Sequence, residues 1–153
     1  MDQHGVREIV LAVLDETFER HHGIFLDAGT SLFATLAAID HGRASVPVGG
    51  RCATLAAQVA HVAFYLEVVE RDLRGEEVGP VDWGAVWRTV GGVSAAEWDR
   101  LRADLEAAYR RLIEQLQTSE DWAPEPHLEV ALAAAVHTAY HLGEIRQALC
   151  SLE

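Results

Sequence analysis

The most constraining stretch of the chain runs from Cys52 to Arg74, where Leu55, Val59, Val62, Leu66, Val69 and Leu73 recur at alternating spacings of four and three. Side chains spaced this way share one face at 3.6 residues per turn, so the stretch predicts a helix seam packed nearly parallel to other helices. Gly75 is expected to end that helix. A strand would need period-two alternation, and no such run of any length occurs in the sequence.

Similar patterns flank it. Between Gly5 and His22 the apolar residues Val6, Ile9, Val10, Val13, Leu14 and Phe18 predict an amphipathic helix, interrupted by Gly23. Thr30 and Ser31 are expected to cap a shorter helical piece carrying Leu32, Phe33, Leu36 and Ile39. Residues 40–51, with Gly42, Pro47, Gly49 and Gly50, read as a connection. Ser94-Ala95-Ala96-Glu97 is a capping box opening a helix to about Thr118, with Trp98, Leu101, Leu105, Ala108 or Tyr109, Leu112 and Leu116 inward. Its acidic and arginine-rich remainder reads as a solvated face. Pro124 and Pro126 flank the next helix start, and that helix is expected to continue through Cys150 on Leu128, Ala131 or Leu132, Ala135, Leu142, Ile145 and Leu149.

These patterns predict an all-α four-helix bundle with a long irregular connection between the second and third long helices. A chain of 153 residues fits one such domain, here residues 1–153. The connection, Gly75 to Val93, contains Gly79-Pro80, Trp83, Trp87 and Gly91-Gly92 and exceeds a minimal helix–helix turn of about 2–8 residues. Its tryptophans are expected to fold back over the bundle, either as rim packing or as a boundary of a ligand pocket.

A net charge of −12 disfavours nucleic acid or an anionic membrane surface as the main partner, because both would be repelled at long range. All basic residues are Arg. Met1 to Glu19 lacks the basic and apolar regions of a signal peptide, and no apolar run approaches the ~20 residues that span a bilayer. The expectation is a soluble, cytoplasmic protein. Cys52 and Cys150 form no CxxC pair and read as small buried apolar filler.

Beside the seam of the second long helix, rotated by about 100°, runs a stripe of Thr54, Gln58, His61, Tyr65 and Val68. The last helix carries Val130, Ala134, His137, His141, Glu144 and Ala148 in the equivalent position. His137 and His141 lie one turn apart, close enough to hold one metal ion, and His61 offers a third imidazole from the other helix. Three neutral imidazoles form the protein half of a catalytic zinc site whose fourth position takes water or substrate. Spacing alone leaves open that each histidine is a core or rim residue satisfied by a hydrogen bond. His4, His21, His22, His41 and His127 fall in no pattern.

Other site types fit less well. Thr138 follows His137, so the HExxH of zinc proteases is absent. Di-iron bundles need two ExxH motifs, and only Glu19-Arg20-His21-His22 supplies one. No serine or cysteine nucleophile with a base and an orienting acid is legible.

A histidine in the middle of the second long helix, Glu97-Trp98-Asp99-Arg100-Leu101 opening the third, and the block from His137 to Gln147, His-Thr-Ala-Tyr-His-Leu-Gly-Glu-Ile-Arg-Gln, together resemble the DinB-like (DinB/YfiT-like) superfamily. That group, distinct from the translesion polymerase of similar name, includes bacillithiol-dependent transferases, and mycothiol-dependent maleylpyruvate isomerases are related. The resemblance covers nearly the whole chain, and the C-terminal block is its most specific part.

The resemblance implies a four-helix bundle, frequently a homodimer, with a divalent metal held by His61, His137 and His141. Zinc is the expected ion, with nickel, iron or manganese as alternatives. Gly143 is expected to permit close helix packing, while Glu144 and Gln147 become candidates for hydrogen bonds behind the ligands. Gln58 and Tyr65 are candidates for orienting substrate or for packing. The implied function is a metal-dependent thiol S-transferase joining a low-molecular-weight thiol, such as bacillithiol or mycothiol, to a small electrophile in stress or xenobiotic metabolism. A metal-dependent hydrolase and a non-catalytic metal- or ligand-binding bundle are the alternatives.

Overall fold

A computed structural model describes residues 3–50, 52–119, 122 and 127–152. Seven α-helices occur among the described residues, and no strand does. Four are long: α1 (Gln3–Phe18), α4 (Leu55–Leu73), α6 (Ala95–Thr118) and α7 (His127–Leu149). The short ones are α2 (Leu32–Ala37), α3 (His41–Ala44) and α5 (Ala85–Thr89), with a single 3-10 turn at Val48–Gly50. The protein is all-α, and its four long helices are compatible with the expected bundle. No single helix among the described residues is long and apolar enough to cross a membrane.

The seam of α4 forms the centre of the core. Leu55, Val59, Val62 and Leu66 are buried, while Val69 and Leu73 are half-buried where the helix runs out toward Gly75. Helix α4 packs against both α6 and α7, and α7 also packs against α1. From α6 come Trp98, Leu105, Ala108, Tyr109, Leu112 and Leu116, so both residues of the Ala108/Tyr109 alternative face inward. Phe18 of α1 stacks on Tyr109 at 4.3 Å between ring centroids, joining the first and third long helices. In α7 it is Ala131 that is buried, whereas Leu132 is exposed. Pro124 and Pro126 lie outside the described residues.

The ends of the helices follow local chemistry. Ser94 and Glu97 form the complete capping box of α6, each side chain receiving the other residue's backbone N–H. Thr54, assigned above to the polar stripe, is the N-cap of α4: its hydroxyl accepts from the Ala57 N–H and donates to the Gly91 carbonyl at 3.1 Å, anchoring the connection that follows α4. Gly75 adopts φ +72°, the left-handed conformation that commonly stops a helix. Ser31 stands at the α2 N-cap but donates its hydroxyl to the Glu19 carbonyl, making no capping bond.

The first helix stops at Phe18, one turn before the expected His22. The cause is Glu16, which is fully buried and accepts hydrogen bonds from the backbone N–H groups of His22, Gly23, Ile24 and Phe25 at 2.9–3.1 Å. Burial pushes this carboxyl up, and the four amides outweigh it and hold it below its ordinary value. A carboxylate is acceptor-only and can gather turn amides that cannot pair with one another. Helical periodicity does not reveal such a contact.

Both cysteines are exposed, correcting the expectation of buried filler. Cys52 precedes the first turn of α4 and Cys150 follows the last of α7, where the chain has left the core. Gly143 is also exposed, and a Cβ built there meets nothing within 4 Å, so no close helix approach within the chain depends on it.

Candidate metal centre

Packing of α4 against α7 turns the two polar stripes toward each other. It brings one ring nitrogen of each of His61, His137 and His141 within 4.8 Å of the others. The ring centroids are 5.1 Å apart for His61 and His137, 4.9 Å for His61 and His141, and 4.6 Å for His137 and His141. Around a tetrahedral zinc with bonds of about 2.0–2.1 Å, ligand nitrogens lie roughly 3.3 Å apart.

The protonation chemistry suits a metal. Burial depresses His137 to about 4, with the neighbouring His141 and His61 adding to the effect. His61 is lowered by burial and then by the charge of His141. Burial also lowers His141, opposed in part by Glu144. All three imidazoles are therefore neutral near pH 7, the state that offers a lone pair. His61 Nδ1 and His137 Nε2 are buried without a hydrogen-bond partner. Buried polar atoms are rarely left so, and a cation coordinated by the cluster is one way to satisfy them. The residues present fit a divalent metal, and the cluster could hold one.

His141 is oriented from behind. Its Nδ1 lies 2.5 Å from Gln58 Oε1 and 3.1 Å from Glu144 Oε2. Both partners are acceptors, so Nδ1 carries the proton and the lone pair resides on Nε2. Glu144 in turn accepts from Gln58 Nε2 at 3.1 Å and hydrogen-bonds the Tyr140 hydroxyl. Tyr65 stacks on His137 at 3.9 Å with the rings 10° from parallel. Trp87, at 38% exposure, lies over His61 at 4.5 Å and 6.1 Å from His141. Trp83 approaches Phe64 and Tyr65 at 5.7 and 5.8 Å.

The sequence candidates thus separate. Gln58, His61, Tyr65, His137, His141 and Glu144 form one connected group, with Gln58 against a histidine. Gln147 is exposed, and with Gln58, Glu144 and Cys52 it lines a cleft of about 480 Å³ on the outer side of the Gln58–Glu144 pair. Two contacts add to these candidates: Trp87 over His61, in keeping with tryptophans folded back over the bundle although the ring it covers depends on how the connection folds, and Tyr140 on Glu144, a pair four positions apart on α7 whose spacing already placed them on one face. Elsewhere, His22 pairs with Asp15 at the surface.

Fold and site define an all-α protein with a three-histidine cluster, two of its imidazoles buried and the third half-buried, that could hold a metal ion. The chain belongs to the DinB superfamily, whose family model matches residues 25–145, a span that includes all three histidines. Comparisons with curated proteins and with solved structures return no match.

Proposed function

We propose that this chain is a metal-dependent thiol S-transferase that joins a low-molecular-weight thiol, bacillithiol or mycothiol in the first instance, to a small electrophile. The observation that carries the reading is the convergence of three imidazoles from two helices, all held neutral near pH 7. His61, His137 and His141 would hold the ion. A divalent cation there, zinc foremost, with nickel, iron or manganese compatible with the same donors, supplies positive charge that favours the deprotonated form of a thiol near neutral pH.

The surrounding side chains contribute the rest. Gln58 and Glu144 hold His141 in the tautomer that leaves Nε2 free. Tyr65 fixes the plane of the His137 ring by stacking on it. Trp87 covers His61 and limits the access of water, which would compete with the thiol and consume the electrophile.

A non-catalytic metal-binding bundle is the second reading. One observation favours it: Glu144, the carboxylate beside the cluster, is already tied to Gln58, His141 and Tyr140 and is poorly placed to serve as a general base. Two measurements test these readings. Elemental analysis of untagged protein against the His61→Ala, His137→Ala, His141→Ala triple variant tests the site, and equal metal content in both sinks it. Conjugation of monochlorobimane to a panel of bacterial thiols tests turnover. A metal-dependent rate with one thiol supports the transferase, and no such rate with any of them favours the binding bundle.

A further inference from the structure

Gln58 stands 2.5 Å from His141 Nδ1, closer than the carboxylate of Glu144 at 3.1 Å. Its amide orientation follows from its neighbours. With Oε1 toward the imidazole N–H and Nε2 toward Glu144 Oε2, every contact pairs a donor with an acceptor. The flipped amide would set N–H against N–H and oxygen against carboxylate. Gln58 also lies three residues before His61 on the same stripe of α4, whereas His141 and Glu144 belong to α7. One neutral side chain therefore links the two helices that carry the histidines and sits between an imidazole and a carboxylate.

We propose that Gln58 is the positioning residue of the site: it sets the His141 tautomer and fixes Glu144 behind it, so that the metal affinity of the cluster depends on Gln58 more than on Glu144. This rests on the metal reading above. The carbonyl of Gln58 takes the Nδ1 proton without adding charge, and its N–H group holds the carboxylate at a defined distance from the ring. With Gln58 removed, Glu144 is left half-exposed on a flexible side chain, with water competing for both its oxygens and the Nδ1–H. Groups that orient a ligating histidine typically govern metal affinity by 10–100-fold.

The test has one arm that needs no metal. Long-range proton–nitrogen NMR of the metal-free protein reads the tautomer of each histidine. Wild type is expected to show His141 wholly as the Nδ1–H form, and Gln58→Leu a mixture of the two forms. In the second arm, competition with a chromogenic chelator measures zinc affinity. Gln58→Leu is expected to weaken it at least about 10-fold, Glu144→Gln by less, and the exchanged pair Gln58→Glu with Glu144→Gln to restore it to within about 3-fold of wild type. Far-UV circular dichroism checks folding.

An unchanged tautomer together with unchanged affinity in Gln58→Leu overturns the inference, as does a larger loss from Glu144→Gln. Should Gln58→Leu not fold, the exchanged pair decides: retention of the Nδ1–H form and of affinity upholds the assignment, and loss of both refutes it. Failure of wild type to bind zinc refutes the metal reading, and the tautomer arm still judges the role of Gln58.

Discussion

Acid should destabilise the metal-free protein through His137, and the structure sets the size of the effect. This imidazole is held at about 4 against an ordinary value of 6.5, chiefly by burial. Between those values the unfolded chain binds the proton and the folded chain does not, so acid favours unfolding, and stability is lost as pH falls from about 6.5 toward 4. At about pH 5 the difference amounts to roughly 2 kcal/mol relative to pH 7, and screening by the water that still reaches His137 reduces it to about 1 kcal/mol. With a urea dependence of about 2 kcal/mol per molar, the unfolding midpoint should drop by about 0.5 M from this residue alone. The assay is urea unfolding of chelator-treated protein at both pH values, beside a His137→Phe variant that removes the titrating group and keeps a ring against Tyr65. The variant should lose about 0.5 M less than wild type, with His61 and His141 sustaining the remainder. An identical pH response in the two proteins would refute the argument that burial keeps His137 uncharged.

Other perturbations follow from the same contacts. Zinc at about 100 times its dissociation constant should stabilise wild type by about 2.7 kcal/mol, seen as a rise in melting temperature that the triple histidine variant lacks. Ser94→Ala removes the capping box and should cost about 1 kcal/mol, lowering the melting temperature by roughly 2–4 °C. Glu16→Gln turns two acceptor oxygens into one acceptor and one donor facing four amides, so hydrogen exchange at His22, Gly23, Ile24 and Phe25 should accelerate first. Trp87→Phe should remove much of the fluorescence quenching produced by cobalt, because Trp87 lies 4.5 Å from the His61 ring. Quenching equal to wild type would place the cobalt elsewhere.

Legibility in the sequence tracked the range of each interaction. The α4 seam, the Ser94–Glu97 capping box and the turn spacing of His137 and His141 are local patterns, set by residues a few positions apart that share a helix face whatever surrounds them. The stripe offset of about 100° also put Gln58, His61 and Tyr65 on one side of α4 before any partner was known. Composition misled at Cys52 and Cys150, because the residue type favours burial while both positions lie beyond a helix end. Glu16 escaped because an acidic residue in an amphipathic helix ordinarily faces water, and only the returning loop at His22–Phe25 makes its burial tolerable.

Helical periodicity was therefore enough to establish an all-α chain and to nominate three histidines, since repeats of three and four depend on covalent geometry alone. Only the packing of α4 on α7 decided that His61 meets His137 and His141 and that Gln58 reaches across to His141 Nδ1, and only the path of the connection set Trp87 over His61. Those pairings join residues 76–83 positions apart in the first two cases and a folded-back connection in the third. Rotation and register between helices set them, through the sum of many side-chain contacts that no local pattern encodes.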